Sequence, residues 1–164
     1  SGIRLKLNAI TNFSIIEKLY QASSEGVKIQ MVVRGICCLI PGIKGMSENI
    51  EVLSVVDKFL EHPRVYEFIN GGSLITYISS ADFMTRNIEN RLEVAAPIYD
   101  PELQRQIKDV FDIIWNDNVK ARRLNGPIQN NFVKNNSKPN RSQFEIYEYY
   151  KKEVDQWKLG STEQ

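Results

Sequence analysis

Histidine and cysteine, the side chains that most often build zinc sites, are scarce in this sequence of 164 residues. There is one histidine, and the two cysteines are adjacent, at Cys37 and Cys38. One imidazole and two neighbouring thiols cannot complete a closed zinc shell, which excludes a structural zinc site. Adjacency also strains a mutual disulfide, and both cysteines lie in the apolar run GICCLIPG. We interpret them as packing thiols of a reduced, cytoplasmic protein.

The sequence also lacks an excess of charge and a long apolar run. Lysine and arginine number 21 against 20 acids, so the net charge is +1. Such a chain has no global field that attracts nucleic acid or an anionic membrane, and any anion site must be local. No apolar run approaches the roughly 20 residues of a membrane helix, and the N-terminus lacks a signal-peptide pattern. The sequence predicts a soluble protein with no membrane span and no nucleic-acid partner.

What the chain does have is enough apolar residues, 42% of the total, for the core of one ordinary domain. A strand pattern starts within two residues of Ser1, which we interpret as a piece cut from a longer protein. We predict one domain over residues 1–124. Residues 125–164 are predicted to form an extended arm and a C-terminal helix, because 125–140 is polar and 141–159 is amphipathic.

The first fifty residues predict a strand, a helix and a strand joined by short connections. Residues 3–8 alternate apolar and polar side chains, and residues 27–33 are rich in β-branched side chains. Between them a helical pattern opens at the potential cap Asn12 and closes at Gly26. A strand, helix and strand in this order are typical of a right-handed parallel unit.

The middle of the chain predicts a hairpin followed by a helix. Asn-Gly-Gly at 70–72 separates two alternating runs, which favours a tight hairpin between strands 64–70 and 73–79. A further strand is predicted over 91–98, and the longest helix over 100–124, capped by Asp100 and started by Pro101. The fold class is therefore α/β, with a mixed, largely parallel sheet flanked by helices.

Polar side chains cluster around the hairpin and suit a phosphate group. His62 and Arg64 are two positions apart on a strand and so share a face, and the hairpin brings Ser79, Ser80 and Asn87 back towards them. Arginine forks onto two phosphate oxygens, and imidazole can transfer a proton near neutral pH. The alternative is ordinary: a surface histidine, a solvated arginine and a strand terminus.

Arg34 is a second candidate, because it ends a buried strand and precedes Gly35 at the edge where open α/β sheets bind ligands. It could equally be an arginine whose head reaches solvent at a strand end. Arg86 and Arg91 add positive charge near Asn87, although either could be solvated or paired with an acid such as Glu93.

Two other kinds of site find little support. No GxxxxGK[ST] loop is present, which removes the usual phosphate-binding loop. A triad of Ser80, His62 and Asp82 is possible on counts, but no nucleophile elbow surrounds the serine.

Two long stretches carry a family resemblance: VVRGICCLIPGIKGMSENIEVLSVVDKFLEHPRVYEFINGG and YISSADFMTRNIENRLEVAAPI. They resemble the C-terminal portion of bacterial polyphosphate kinases, and the similarity runs from about Lys6 to Trp115. The later segment RSQFEIYEYY is also similar. The resemblance implies a phospholipase-D-like fold, as the second of two related domains.

The resemblance also implies a site. The Arg of VRG and the His of LEHPR, here Arg34 and His62, would line the ATP phosphates in a tunnel. The stretch from His62 to Asn87 resembles the superfamily's histidine motif, with Arg64 where lysine is usual. We therefore expect His62 to be catalytic and the ATP or phosphate ligands to be Arg34, His62, Arg64, Ser79, Ser80, Arg86 and Asn87.

One departure from the family limits the expected activity. The histidine that is phosphorylated and the residues that hold Mg²⁺ belong to the preceding domain in this family, and no residue here can be assigned to those roles. We expect a fragment, inactive alone, of an enzyme that transfers the terminal phosphate of ATP reversibly to polyphosphate through a phosphohistidine. ATP or ADP, polyphosphate and the remaining domains are the expected partners. Apolar helix faces left without those domains predict a homo-oligomer.

Two alternatives remain at this stage. The chain could be a non-catalytic module that binds polyanions or mediates oligomerisation. It could also be a hydrolase of the phospholipase D superfamily, which would need two histidine motifs in one site and hence a homodimer.

Overall fold

The computed structural model describes residues 1–126 and 129–161. It contains one eight-stranded sheet with the strand order β6-β5-β4-β1-β2-β3-β7-β8. The strands are β1 (Gly2–Leu7), β2 (Lys28–Val33), β3 (Ile50–Val55), β4 (Arg64–Asn70), β5 (Ser73–Ser79), β6 (Ala95–Ile98), β7 (Ala121–Asn125) and β8 (Gln129–Phe132). The helices are α1 (Phe13–Ser24), α2 (Thr85–Glu89), α3 (Pro101–Trp115) and α4 (Ser142–Ser161).

The predicted parallel unit at the N-terminus is confirmed. Strands β1 and β2 pair in parallel over their whole length, from Gly2 with Lys28 to Leu7 with Val33. Helix α1 crosses between them, and its predicted cap is formed: the side chain of Asn12 accepts a hydrogen bond from the Ile15 amide at 3.0 Å. The local signals therefore placed this unit correctly.

The predicted hairpin is also confirmed. Asn70 pairs with Ser73 across a two-residue turn. Gly71 and Gly72 have φ angles of 55° and 85°, a left-handed conformation that glycine adopts at little cost and that hairpin turns of this length require.

The sheet is mixed, as predicted, but the expectation that it is largely parallel is wrong. Among the described residues, two of the seven strand pairings are parallel, β1 with β2 and β2 with β3; the other five are antiparallel. Parallel pairing needs a crossover, and only α1 and the loop before β3 supply one here. Short turns join β4 to β5 and β7 to β8, whereas the loop over 56–63 and helix α3 carry the chain across the sheet to strands that pair antiparallel.

The helix predicted over 100–124 is too long. Helix α3 begins as expected, since Asp100 accepts hydrogen bonds from the amides of Glu102 and Leu103 at 2.8 and 3.0 Å, but it ends at Trp115. The segment after it returns as β7, which pairs antiparallel with β3. The longest helix is therefore α4, with 20 residues. The strand predicted over 91–98 is confirmed only for its last four residues.

Helices cover both faces of the sheet, and each face has its own core. On one face, α1 packs Ile16 and Leu19 against Leu5, Leu7 and other strand residues. On the other face, α3 packs Phe111 and Ile114 against Val32 and Val55. Ile146 of α4 joins this second cluster. The C-terminal helix thus contacts the same core as the strands.

Part of the predicted arm over 125–140 is ordered into the sheet. Strand β8 pairs with β7, with Arg122 opposite Phe132 and Asn125 opposite Gln129. Residues 127 and 128 lie outside the described part of the chain. The hairpin crosses residue 124, and the division of the chain at that residue stays a prediction. None of the described helices is long and apolar enough to cross a membrane.

Candidate functional site

The candidate site lies at one edge of the sheet, where several strand ends meet. Strands β1 and β2 end there, and the segment Asn8–Ala9 follows the first while Arg34 follows the second. Strand β4 runs antiparallel to β1 and begins at the same edge with Arg64. Ser79, the last residue of β5, pairs with Arg64. Sheet topology therefore brings together residues from four separate parts of the sequence.

Arg34 is held at this edge by its own backbone and by its guanidinium group. Its amide donates to the Leu7 carbonyl at 3.1 Å, and its carbonyl accepts from the Ser54 hydroxyl at 3.2 Å. Its Nη1 donates to the backbone carbonyl of Glu61 at 2.5 Å. The half-buried guanidinium thus touches the peptide group that immediately precedes His62.

The turn after Arg34 favours a residue without a side chain. The Gly35 amide donates to the Asn8 carbonyl at 2.9 Å, and a Cβ built on Gly35 would lie 3.1 Å from the same oxygen. Such a contact is tighter than a side chain ordinarily makes, so glycine permits this close approach of the two strand ends.

His62 is exposed and its ring lies against the guanidinium of Arg64. Nη1 and Nη2 of Arg64 lie 3.0 Å from Nδ1 and 3.3 Å from Nε2 of the imidazole. A neutral imidazole has one acceptor nitrogen, so at most one of these contacts is a hydrogen bond to the ring. Nη1 also donates to the His62 carbonyl at 3.2 Å. The two side chains are in contact, but His62 lies in the loop before β4 and not on the strand, so the contact does not come from a shared strand face.

Asp82 holds Arg64 in place, and the list of expected site residues does not contain it. Its carboxylate accepts from Nη2 of Arg64 at 2.7 Å and from the amides of Asn8 and Ala9 at 2.7 and 3.1 Å. Burial raises the pKa of Asp82, but the hydrogen bonds from Arg64 and the two amides outweigh it and hold the pKa below its ordinary value. Asp82 is thus the counter-ion that orients the arginine beside His62.

The signal that could have identified Asp82 is its position directly after β5, at the same edge as Arg64. In the sequence, Asp82 stands out only as a possible member of a triad with Ser80 and His62. Among the described residues no hydrogen bond joins Asp82 to His62, and the Ser80 hydroxyl bonds to Glu93. The three side chains therefore do not form a triad in this structure.

Ser80 and Asn87 form a second group, around Glu93. The Ser80 hydroxyl donates to one carboxylate oxygen of Glu93, and Nδ2 of Asn87 donates to the other at 2.6 Å. Both hydrogen bonds lower the pKa of Glu93, and the one from Ser80 has the larger effect. Oδ1 of Asn87 is buried with no hydrogen-bond partner among the described residues. The Glu93 carboxylate thus accepts the hydrogen bonds that Ser80 and Asn87 were expected to donate to phosphate.

The remaining predicted ligands have mixed surroundings. The Ser79 hydroxyl donates to the Val94 carbonyl at 3.0 Å and accepts from the Ala81 amide at 3.1 Å, which are local backbone contacts. Arg86 is exposed on α2, and its side chain makes no ion pair within the described residues. Arg91 pairs with Glu93 at 3.6 Å, as one of our alternatives had it.

The comparisons with known proteins agree with one another. The family model described as polyphosphate kinase C-terminal domain 2 matches residues 1–143. Polyphosphate kinases of Klebsiella pneumoniae and Escherichia coli (strain K12) are 49% and 48% identical over 152 residues. Each alignment covers 92% of this chain but 22% of the relative, so the chain spans about a fifth of the length of these relatives.

Solved structures give the same result for the fold. The polyphosphate kinase from Porphyromonas gingivalis superposes with a TM-score of 0.92 at 44% identity, covering 94% of this chain and 24% of that one. Nuc from Salmonella typhimurium, a phospholipase D family member, superposes with a TM-score of 0.58 at 18% identity, over 77% of this chain and 83% of that one. The second likeness confirms the predicted phospholipase-D-like fold. The chain belongs to the polyphosphate kinase family, as its second C-terminal domain.

Proposed function

We propose that this chain supplies half of the phosphate site of a polyphosphate kinase, which transfers the terminal phosphate of ATP reversibly to polyphosphate. The observation that carries the proposal is the contact between the Arg34 guanidinium and the peptide bond that leads into His62, at one edge of the sheet. Within residues 1–126 and 129–161, Arg34 forms no ion pair with a carboxylate, so its charge is available to an anion.

Each member of the pair has a chemical role under this proposal. Arg34 binds phosphate oxygens through its planar fork and stabilises the negative charge that develops during transfer. His62 donates a hydrogen bond or a proton to a phosphate oxygen, because imidazole exchanges protons near neutral pH. Arg64 is already paired with Asp82, and it supports the ring of His62 as well as adding positive charge.

The other predicted phosphate ligands remain predictions. Binding of phosphate by Ser80 or Asn87 requires Glu93 to release them, since its carboxylate accepts hydrogen bonds from both. Arg86 is exposed and free to reach a polyphosphate chain that passes over α2. We propose Arg34 and His62 as the centre of the site, with these residues around it.

The rest of the reaction belongs to the preceding domain in this proposal. That domain carries the phosphohistidine and holds Mg²⁺, which supplies charge neutralisation on the phosphates when bound. Among the described residues there is no group of three or more His, Cys, Asp or Glu side chains that could hold a metal ion. The isolated chain is accordingly proposed to be inactive and to work only with the remaining domains.

Isothermal titration of this chain with ADP, ATP and short-chain polyphosphate tests the proposal. We expect saturable binding by the unaltered chain, and at least about tenfold weaker binding by Arg34→Ala and by His62→Ala. Arg105→Ala is the control, because it removes a guanidinium from α3, where it pairs with Glu102. Equal affinity in all four proteins would overturn the assigned residues, and no binding by a folded chain would overturn a preformed half-site.

The same titration separates the proposal from a simple polyanion-binding module. A module that recognises only charge would bind polyphosphate in proportion to its length and would lose affinity steeply with added salt. It would not distinguish ATP from other anions of similar charge, such as pyrophosphate complexes. Saturable ATP binding that depends on His62 favours the kinase site.

A further inference from the structure

The loop that carries His62 is irregular, but the first turn of α4 holds it closely. Residues 56–63 connect β3 to β4 with no regular structure of their own. Oε1 of Gln143 accepts from the Phe59 amide at 2.9 Å, and Nε2 donates to the Phe59 carbonyl at 2.8 Å. Nε2 also donates to Oε1 of Glu61 at 3.0 Å. All three hydrogen bonds of the Gln143 side chain therefore end on this loop.

Glu61 transmits this restraint to both members of the proposed phosphate pair. Its carboxylate also binds Nζ of Lys6 at 3.0 Å, and Lys6 is 4% exposed. Its backbone carbonyl accepts from Arg34 at 2.5 Å, and its peptide bond leads directly into His62. A shift of Glu61 would therefore move the anchor of Arg34 and the backbone of His62 together.

A second contact, from the residue immediately before α4, fixes the start of the loop. Arg141 donates two hydrogen bonds to Asp57, each at 2.7 Å, in a bidentate pair. The Asp57 side chain is 3% exposed, so the pair is well shielded on the carboxylate side. Bidentate pairs of this kind fix geometry as well as adding energy. The loop is thus tied at residue 57 to Arg141, just before α4, and at residues 59 and 61 to Gln143 in its first turn.

Docking of α4 itself does not need Gln143. Ser142 donates its amide and its hydroxyl to Asp117, both at 2.8 Å, and the Tyr149 hydroxyl donates to Asp109 of α3 at 3.1 Å. Neither contact touches the loop. These contacts hold the helix independently of the Gln143 amide, whose partners within the described part of the chain lie on the His62 loop.

We propose that Gln143 is a positioning residue for the phosphate site: it holds Glu61 and thereby sets the spacing between Arg34 and His62. The inference rests on the proposed function for its consequence, which is affinity for ATP. Its structural core, the position of the imidazole, is independent of that function. The C-terminal helix is then part of the site's framework, and not only a cover for the sheet.

His62 is the sole histidine of the sequence, so its imidazole resonances in a ¹H–¹⁵N spectrum need no assignment by mutation. We expect Gln143→Ala to shift or broaden those resonances and to weaken ATP binding about tenfold, while circular dichroism stays unchanged. Tyr149→Phe is the matched control: it removes the hydroxyl of the same helix that donates to Asp109 and accepts from Arg105, and neither of these partners lies on the loop. It should leave both readouts as in the unaltered chain.

The outcomes separate this inference from the function on which it rests. Unmoved imidazole resonances in Gln143→Ala overturn the inference, as does an equal change in Tyr149→Phe. If the unaltered chain binds no ATP, a shift in Gln143→Ala alone still supports the positioning role, and only the half-site fails. Should Gln143→Ala fail to fold, Gln143→Glu replaces it. That variant keeps the acceptor for the Phe59 amide but sets a carboxylate against Glu61, and it should shift the resonances in the same assay.

Discussion

The arginines at the sheet edge differ in what balances their charge. Arg64 is paired with the buried carboxylate of Asp82 at 2.7 Å, so its guanidinium is largely committed to orienting His62. Among the described residues, the guanidinium of Arg34 donates to a neutral backbone carbonyl and to no carboxylate. An incoming phosphate therefore gains more from Arg34, because no carboxylate must be displaced.

Replacement of Arg34 by lysine tests whether the fork or only the charge matters. An ammonium group is a point charge and cannot hold a carbonyl and two phosphate oxygens in one plane. In the full-length relative that carries this domain, we expect Arg34→Lys to lower turnover at least about tenfold and His62→Ala to lower it by about 10² or more. Steady-state kinetics with ATP and polyphosphate measure this. Near-normal turnover of His62→Ala would remove it from the catalytic machinery.

A buried acid without hydrogen bonds lies away from this site. Glu67 is 0% exposed, neither of its carboxylate oxygens has a hydrogen-bond partner among the described residues, and the guanidinium of Arg4 is 3.9 Å away. Burial raises the pKa of Glu67, and the charge of Arg4 opposes that effect only in part. The folded state therefore holds this proton more tightly than the unfolded state does.

The raised pKa of Glu67 predicts that its ionisation lowers the stability of the folded state at higher pH, and that a neutral side chain removes this loss. Because the folded pKa is the higher one, stability falls as pH rises from the unfolded value of about 4.3 through the folded value. We expect Glu67→Gln to gain on the order of 1 kcal/mol at neutral pH and to show a flatter profile over that range. Arg4 keeps Asp112 at 3.1 Å in the variant. Urea titrations of both proteins at several pH values measure the free energy of unfolding. A variant less stable than the unaltered chain at neutral pH would contradict the prediction.

At the scale of elements, Asp117 joins the end of α3 to the start of α4. One oxygen accepts from the amides of Val119, Lys120 and Ala121, at 2.9, 2.6 and 3.0 Å, and the other accepts from Ser142. The residue is 0% exposed. One carboxylate thus forms the turn that starts β7 and caps the last helix.

Replacing this carboxylate should therefore loosen two elements at once. Burial raises the pKa of Asp117, but the hydrogen bonds from Lys120 and Ser142 outweigh it and lower the pKa. Its stabilisation is present above the unfolded pKa of about 3.9 and is lost as pH falls through the lower folded value. We expect Asp117→Asn to cost about 3 kcal/mol at neutral pH and to reduce the acid-induced loss. Thermal unfolding at a series of pH values measures both effects, and Asp155→Asn, which changes an exposed carboxylate, is the control. If Asp117→Asn and the unaltered chain gave the same dependence of unfolding temperature on pH, Asp117 would not have this role.

At the scale of the whole molecule, the division of the chain at residue 124 remains to be tested. A chain ending there lacks β8 and α4, so Asp57 loses Arg141 and Asp117 loses the donors of Ser142. If residues 1–124 are a domain, the shortened chain still folds, but we expect its unfolding temperature to fall by at least about 5 °C. Circular dichroism on heating provides the measurement. An unchanged unfolding temperature would show that the helix adds nothing to the domain's stability.

The same truncation exposes apolar surface, and it therefore tests whether exposed apolar surface drives the predicted homo-oligomer. Helices α3 and α4 line a groove of about 420 Å³ over the sheet, with Phe59, Val65 and Ile78 on its floor and rim. Removing α4 opens this groove fully, and contiguous apolar surface of that kind favours association. Sedimentation of the full and shortened chains compares their association.

Local signals predicted the elements that depend on neighbouring residues. The cap at Asn12, the glycine pair at 71 and 72 and the start of α3 at Asp100 each follow from the chemistry of a few consecutive side chains. The end of α3 did not follow, because the pattern of residues 121–124 is that of a continuing helix, and only pairing with β3 makes them a strand. Pairing between distant strands is invisible to a local pattern.

The sequence by itself determined the fold class, the hairpin and the family, and with the family the expectation of Arg34 and His62. Those conclusions depend on periodicity and on long uninterrupted stretches of similar residues. Only the tertiary structure decided which residues support the site: Asp82 reaches Arg64 across 18 positions, and Gln143 reaches Phe59 across 84. The physical reason is that a buried carboxylate or a loop peptide group bonds to whichever hydrogen-bonding partner the packed sheet and helices bring within about 3 Å. The spacing of two residues in the sequence does not indicate that distance.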